Sequence, residues 1–346
     1  MDSPLAKALI LDRELQPLEI PVAARALLSP NVDDLAKAQF LRSLRERGET
    51  VNELAGFVEA FLDCAVDPQL VVDPSRPSID VCGTGGDGLH LFNVSTAAMF
   101  VLAAGDVTVL KHGNRAITSK SGGADVLEAL GIQIETTPHV LRLCIADVGC
   151  GFLFAPTYHP AFKTIGRVRR QLASEGTTTM FNLLGPLLNP GRPTHQLIGI
   201  FAPEMQEKYA AVVQKLGRKA AWIVHGTTKD GRSMDELSTL GPSRVIAVEN
   251  GQAKSFIVNA DVREERDLHA LRGGDAKANA VVLEKLLRGS DKLEALCEIV
   301  SLNAGAGFVI TGLVPDLKSG IEKAWKIIES GAAWTKVELL KKVSLS

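Results

Sequence analysis

Apolar residues recur three and four positions apart in Ala23–Leu28, Val32–Arg47 and Val51–Cys64, the period of helices with one buried face. Asn31 or Asp33, and Glu49 or Thr50, supply start signals, so LRERGETVNELAGF reads as helix, glycine stop and capped helix. These helices carry more apolar surface than they can bury among themselves. The remainder is expected to face a second domain or another subunit.

Past the proline-bearing linker Asp73-Pro74-Ser75-Arg76-Pro77-Ser78 the period changes. Ile79–Cys82, Val107–Leu110, Gln133–Glu135, Gly151–Phe154, Gln196–Phe201 and Ala220–His225 read as strands. Between them lie helical runs at Ala97–Ala104, Ala124–Leu130, Pro138–Asp147, Ile165–Ala173 and Met205–Leu216, with a loop at Ala155–Lys163. Strands alternating with helices predict a mainly parallel sheet covered on both faces. Phe181–Pro193 is apolar but broken by Gly185, Pro186 and Pro190, and Arg169–Pro193 reads as a return to the helical unit. After Gly241, Arg244–Val248 and Ser255–Val258 read as antiparallel strands. Ala276–Leu287, Lys292–Ala306 (ending near Gly305 or Gly307), Ser319–Gly331 and Thr335–Val343 read as helices. The expected fold is α/β: a small all-helical N-terminal domain, residues 1–72 with a return segment about 169–193, plus a larger α/β domain, 73–168 and 194–346, with a mainly parallel central sheet.

Composition narrows function more than fold. With 346 residues, 46% hydrophobic, 23% charged and 5% aromatic, the chain has the make-up of a soluble α/β protein of about two domains. A formal net charge of −2 gives no general pull toward nucleic acid or membrane, so a polyanionic substrate must be held by local groups and metal ions. Five cysteines, at 64, 82, 144, 150 and 297, form no CxxC pair and no metal-ligand spacing, as in a reducing compartment. The start MDSPLAKALILDRELQP carries acids close behind a short apolar run and does not read as a signal peptide. No apolar run reaches the ~18 residues of a membrane span. A cytoplasmic enzyme without nucleic-acid or membrane partners is expected.

Asp80–Gly131 holds the densest chemistry. The strand at its start runs into Gly83-Thr84-Gly85-Gly86-Asp87-Gly88, where backbone N–H groups can approach a phosphate closely. Asn93, Ser95 and Thr96 are N-cap residue types set before the next helix, whose free N–H groups and positive dipole end suit an anion. The pattern then repeats. Val107–Leu110 meets Lys111-His112-Gly113-Asn114-Arg115, and Ser119-Lys120-Ser121-Gly122-Gly123 introduces another helix. Alone, GTGGD is a tight turn without GxGxxG or P-loop order, KHGNR a solvated basic turn and His112 a locally satisfied ring. Two such helix starts one βα unit apart point to a ligand with two separate phosphate groups.

Adjacent Asp235 and Glu236 read first as a solvated pair. In a loop both can turn to the sheet edge, where hard oxygens suit Mg²⁺ bridging to a pyrophosphate, with the Ser95 hydroxyl as a further oxygen. Arg169 is the best candidate for clamping a carboxylate, against a reading of Arg167, Arg169 and Arg170 as a basic helix face. No Ser-His-Asp grouping, reactive cysteine or paired-carboxylate arrangement is evident. That fits a reaction resting on positioning and charge stabilisation.

GTGGD, FNVST, KHGNR and SGGADVLEALG, followed in order by FNLLGPLLNP and DELS, resemble the anthranilate phosphoribosyltransferase family of tryptophan biosynthesis, from about Leu44 to beyond Gly241. The resemblance implies a nucleoside phosphorylase/phosphoribosyltransferase-type fold whose helical domain is hinged to the α/β domain and forms a homodimer. It implies transfer of the phosphoribosyl group from phosphoribosyl pyrophosphate to the amine of anthranilate, with Mg²⁺ and release of pyrophosphate. Gly83, Thr84, Gly85, Gly86, Asp87, Asn93, Ser95, Thr96, Lys111, Asn114, Ser121 and Gly123 match positions for phosphoribosyl pyrophosphate. Ser95, Asp235 and Glu236 match metal positions, and Gly83, His112, Asn114, His159, Phe162, Arg169, Gly185 and Pro186 the aromatic-acid channel. Arg169 and His112 become the catalytic candidates, His112 as an optional general base.

Two segments depart from the family pattern: a longer stretch between Leu172 and Phe181, with Thr178 where arginine is common, and a longer loop between Gly226 and Asp235. A pyrimidine nucleoside phosphorylase shares this fold, but KHGNR and the Asp235–Glu236 pair speak against it. A non-catalytic nucleic-acid-binding paralogue predicts a basic face and loss of the metal and clamp residues. Here the charge is slightly negative and Asp235, Glu236 and Arg169 are present.

Overall fold

The computed structural model describes residues 13–70, 76–116, 120–259 and 267–346, all but the side chain of Asp291. The first three linker residues, Ser119 and the first twelve residues of the chain lie outside that set.

Helices α1 (Ile20–Leu28), α2 (Asp34–Arg47) and α3 (Val51–Asp63) form where the apolar spacing places them. Gly48, at φ +85°, ends α2. Thr50 opens α3 through a capping box, its hydroxyl accepting from the Glu53 N–H while the Glu53 carboxylate accepts from the Thr50 N–H.

The alternating region follows as β1 (Ser78–Gly83), α4 (Val94–Ala104), β2 (Thr108–Gly113), α5 (Gly123–Ala129), α6 (Pro138–Leu143), β3 (Cys150–Phe154), α7 (Lys163–Ser174), β4 (His195–Gly199), α8 (Gln206–Lys215) and β5 (Ala220–Thr227). With β6 (Ser233–Met234), β7 (Ser243–Glu249) and β8 (Gln252–Val258) they build an eight-stranded sheet in the order β3-β2-β1-β4-β5-β7-β8, β6 pairing with β5. β1 to β5 are parallel and the remaining pairings antiparallel. Helices α9 (Ala276–Leu287), α10 (Glu294–Ile310), α11 (Leu317–Glu329) and α12 (Ala332–Ser344) complete the chain. This is the expected class, a helical unit beside a larger α/β unit.

Strand alternation splits the apolar residues between two cores. Ile79, Val81, Val109, Leu197 and Val245 pack with α4, α5 and α9–α12 on one face. Ile198, Ile200, Ile223, Ile246 and Val248 face the other way, and that core runs without a break into Phe57 and Phe61 of α3, Ile165, Val168 and Leu172 of α7, and Phe181 and Leu184. Much of the apolar excess of the N-terminal helices is spent there.

Three expectations need correction. Gln133–Glu135 is not a strand: the Gln133 N–H donates to Ser344 Oγ at the end of α12, and only Ile134 is buried. β2 continues to Gly113, which draws Lys111 and His112 out of a loop and into the sheet. α10 does not stop at Gly305 or Gly307 but runs on to Ile310. Those glycines serve packing, because a Cβ on Gly305 would lie 2.7 Å from the Ile321 nitrogen, and one on Gly320 2.5 Å from the Gly305 carbonyl oxygen. The close helix crossing offsets the ~1 kcal/mol that a mid-helix glycine costs. Gly305→Ala is therefore expected to destabilise the fold by about 1–3 kcal/mol through overpacking, read by urea unfolding; a loss below about 0.5 kcal/mol would contradict the backbone contact.

Candidate active site

The parallel strands end side by side at Gly83, Gly113, Phe154, Gly199 and Thr227, and the candidate residues gather at this carboxyl edge. The Asp235–Glu236 segment lies across it. A Cβ on Gly83 would sit 2.2 Å from Asp235 Oδ2, on Gly199 1.5 Å from the Asp235 carbonyl oxygen, and on Gly226 2.2 Å from the Glu236 carbonyl oxygen. Only glycine at the ends of β1, β4 and β5 leaves room for it. The loop before this segment is held at its base, where Gly226 pairs with Met234, which is fully buried, and it closes as the turn Thr228–Arg232 with an Asp230–Arg232 ion pair.

Around this segment the glycine loop turns back on itself, with Gly85, Gly86 and Gly88 at positive φ. The Gly85 N–H donates to Asp235 Oδ2 at 2.7 Å, the Thr84 N–H bonds the Gly199 carbonyl, and Gly86 lies against Phe201. Asp235 is pushed up to about 7 by burial and then by the neighbouring Asp87 charge. Glu236 lies well above the usual carboxylate range, through burial and then the Asp235 charge, opposed by Lys111 and by a hydrogen bond to the Ser95 backbone at the start of α4. Among the described residues no three His, Cys, Asp or Glu side chains converge on one point. Crowded hard oxygens in a confined space nevertheless fit Mg²⁺, which takes one or two protein carboxylates and completes its shell with water and substrate phosphate.

Lys111 shares the face of Val109. Its ammonium donates to the Val81 carbonyl at 2.6 Å and to Ser95 Oγ at 3.2 Å, beneath the start of α4. Thr96 is buried with no protein partner for its hydroxyl, and a Cβ on Gly123 would come within 3.1 Å of that hydroxyl. The two glycine-bearing helix starts thus face one another. Asp125 closes the second, accepting from the Ala116 and Gly122 N–H groups at 2.8 Å each. Asn93 does not cap α4, contrary to the reading of its residue type. Asn114 is exposed and caps its own turn through the Arg115 N–H.

His112 points the opposite way from Lys111, to the face where the helical unit docks. A series of rings runs from it: His159 at 5.5 Å between centroids, Phe162 at 5.1 Å from His159, then Phe61 and Phe181 at 5.2 and 5.6 Å from Phe162. The Arg169 guanidinium lies 5.1 Å above the Phe181 ring. Burial alone lowers its pKa, and among the described residues no carboxylate pairs with it. After Leu172 the helix α7 runs on to Ser174 and is followed by an Arg42–Glu175 ion pair, and Arg169 lies inside the helix. Gly185 and Pro186 form a tight turn beside the rings, held by Gln196 Nε2 on the Pro186 carbonyl at 3.0 Å.

Sequence reasoning missed Phe181 as the seat of Arg169, and it missed Asp80. Asp80 is fully buried, accepts from Asn189 Nδ2 at 2.9 Å and the His112 N–H at 3.3 Å, and is pushed up to about 6 by burial. The one acid set between the apolar residues Ile79 and Val81 was the available signal.

This arrangement defines a glycosyl transferase: residues 3–65 match the helical bundle domain of that family and residues 75–334 its a/b domain. The anthranilate phosphoribosyltransferase of Rhodopseudomonas palustris (strain BisB18) is 42% identical over 344 residues, covering 98% of this chain and 96% of its own. The crystal structure of the Thermus thermophilus enzyme superposes with a TM-score of 0.88 at 38% identity, over 99% of this chain and 100% of that one. The Saccharomyces cerevisiae enzyme in complex with PRPP and Mg gives 0.85 at 27% identity (100% and 99%), and in complex with 4-fluoroanthranilate 0.83 at 26% (99% and 97%). The chain belongs to the anthranilate phosphoribosyltransferase family. Among the described residues no helix is long and apolar enough to cross a membrane.

Both histidines are neutral acceptors. His159 Nε2 faces the Leu188 carbonyl at 2.8 Å and His112 is bonded to the Gly185 backbone, so each ring donates its N–H there. His112 Nε2 and His159 Nδ1 are left buried without a protein partner. Burial, then His159, drops the His112 pKa from 6.5 to about 3. Below pH 6.5 the unfolded chain therefore takes up a proton that the native ring refuses, and stability falls as the pH drops from 6.5 toward 3. The His112 ring signals in NMR are expected to hold constant from about pH 8 to about pH 5. A midpoint near 6.5 would contradict the buried neutral ring.

Proposed function

We infer that this chain transfers the phosphoribosyl group of phosphoribosyl pyrophosphate to the amine of anthranilate, releasing pyrophosphate, in tryptophan biosynthesis. One observation carries the reading: a guanidinium without a carboxylate partner among the described residues, and two bare imidazole acceptors, sit at one end of the sheet that also bears two facing glycine-rich helix starts. An aromatic amino acid supplies what these groups lack, a carboxylate for Arg169 and an amine N–H for a histidine nitrogen.

The glycine loop Gly83–Gly88 with the start of α4, and Ser121–Gly123 with the start of α5, take the two phosphate ends through backbone N–H groups, the Thr96 hydroxyl and Lys111. Asp235, Glu236 and the Ser95 hydroxyl would hold Mg²⁺, which spreads the charge of a departing pyrophosphate when bound. As that bond breaks, positive charge develops on the ribose C1. Arg169, set over the Phe181 ring, holds the carboxylate so that the amine lone pair faces this carbon. His112, a weak base at a pKa of about 3, accepts a hydrogen bond from the amine rather than keeping its proton.

The residue roles, the division into residues 1–72 with 169–193 against the rest, and pairing of two chains through the helical unit all belong to this proposal. Exposed Leu18 and Leu35, at 87% and 59% exposure on or beside the N-terminal helices, support pairing there, and a monomeric mass in sedimentation would contradict it. All five cysteines are free, in keeping with the cytoplasm, and fractionation into the envelope would oppose that placement.

Arg169→Ala is expected to raise KM for anthranilate roughly 10- to 150-fold, the worth of a hydrogen-bonded charge at about 1.5–3 kcal/mol, with phosphoribosyl pyrophosphate affinity held within about twofold. Steady-state kinetics and calorimetry read the two. Equal losses for both substrates would remove Arg169 from the acceptor site.

A further inference from the structure

The C-terminal third shows no chemical constellation in its sequence, yet one of its side chains reaches the phosphate loops. Asn279, in the first turn of α9, is buried to 2% exposure and donates from Nδ2 to Asn93 Oδ1 at 2.8 Å. We propose that Asn279 is a positioning residue for phosphoribosyl pyrophosphate, setting the orientation of the Asn93 amide and, through it, the spacing of the two helix starts.

Hydrogen-bond directions carry the argument. The Gly274 N–H donates to Asn279 Oδ1 at 2.7 Å, which leaves Nδ2 as the group that faces Asn93. Asn93 must then present its oxygen to Asn279, and its own Nδ2 is turned onto the Ser121 carbonyl at 3.2 Å. Asn93 stands at the N-cap of α4 and Ser121 lies just before α5, so one relay of two amides ties the two starts together. It also explains why Asn93, a favoured capping residue, makes no cap: its donor and acceptor are both engaged sideways.

The far end of the relay is rigid. Leu271–Gly274 runs antiparallel beside His90–Phe92, the Phe92 N–H donating to the Leu271 carbonyl at 2.8 Å and the Gly273 N–H to the His90 carbonyl at 2.9 Å. A Cβ on Gly273 would come within 2.9 Å of the Leu91 carbonyl oxygen and 3.0 Å of Asn279 Nδ2, so the strip fits only as glycine. Asp275 caps α9 through the Ala278 N–H at 2.9 Å and fixes the helix turn that bears Asn279. Asn279 touches no substrate; it acts through Asn93.

This inference rests on the reading of the two helix starts as the phosphoribosyl pyrophosphate site, and the experiment separates the two. Binding of phosphoribosyl pyrophosphate with Mg²⁺ is measured by calorimetry for the full chain, Asn279→Ala, Asn93→Ala and the double variant, beside steady-state kinetics. Asn279→Ala is expected to weaken binding about fivefold to tenfold, with kcat at saturation and KM for anthranilate held within about twofold. In the Asn93→Ala background, Asn279→Ala should change affinity less than about twofold, because the residue through which it acts is gone. Losses that multiply in the double variant, or a lower melting temperature with unchanged affinity, would overturn the positioning role. Asn279→Ser, the smaller change, replaces Asn279→Ala where the latter does not fold, and failure of both to fold overturns the proposal in favour of a structural role. An unmodified chain that binds no phosphoribosyl pyrophosphate would sink the proposed reaction as well.

Discussion

The site depends on a steric fact: one short segment, Asp235–Glu236, is laid across the carboxyl ends of three strands, and each has a glycine at its last or next-to-last position that clears its path. Threaded there, two carboxylates come to lie beside Asp87 in little water, and burial with mutual repulsion drives them toward the protonated form. The protein meets part of that cost itself, through the Gly85 N–H on Asp235 and through Lys111 and the Ser95 backbone on Glu236. A divalent cation would meet the rest, which makes the least comfortable part of the fold the part suited to metal and pyrophosphate. β6 supports the placement, since its pairing with β5 sets the register of Met234 next to Asp235.

The opposite wall is built by a different principle. The helical unit shares a core with one face of the sheet, and where the two meet, rings from α3, from the segment before α7 and from Phe181 make a continuous aromatic wall. Arg169 is charged, partly buried and supported only by a ring face, while two imidazoles have spent their N–H groups on backbone carbonyls. A buried cation without an anion and acceptors without a donor are unfavourable, and a ligand supplying both an anion and a donor would satisfy them. β2 links the two walls, for Lys111 and His112 are neighbours on one strand and the pleat sends them to opposite faces.

Much of this was legible in the residues. Period-3.6 and short apolar runs located the main helices and the parallel strands, and the glycine runs marked both helix starts. What escaped reading depends on neighbours distant in the chain. Gly305 and Gly307 read as a stop because a glycine's local meaning is a break, whereas here their value is set by Leu102 and by α11. Gln133–Glu135 had the look of a strand, but no strand lies beside it. Asn93 read as a cap because the type favours caps, and only Asn279, far along the chain, shows why it is not one. The strand ends Gly83, Gly199 and Gly226 were visible as glycines, yet their common purpose emerges only with Asp235–Glu236 placed against all three.

The central claim is that this carboxyl edge brings a phosphoribosyl donor, a divalent cation and an aromatic amino acid to one point. The most direct measurement is the decay of anthranilate fluorescence on mixing the purified chain with phosphoribosyl pyrophosphate and Mg²⁺, followed together with pyrophosphate release, with EDTA and with the Asp235→Asn/Glu236→Gln chain as controls. The account predicts stoichiometric decay and release that stop with EDTA and fall sharply in the double variant. A folded chain that binds both substrates yet turns neither over, or one whose turnover ignores both EDTA and the loss of the two carboxylates, would contradict it.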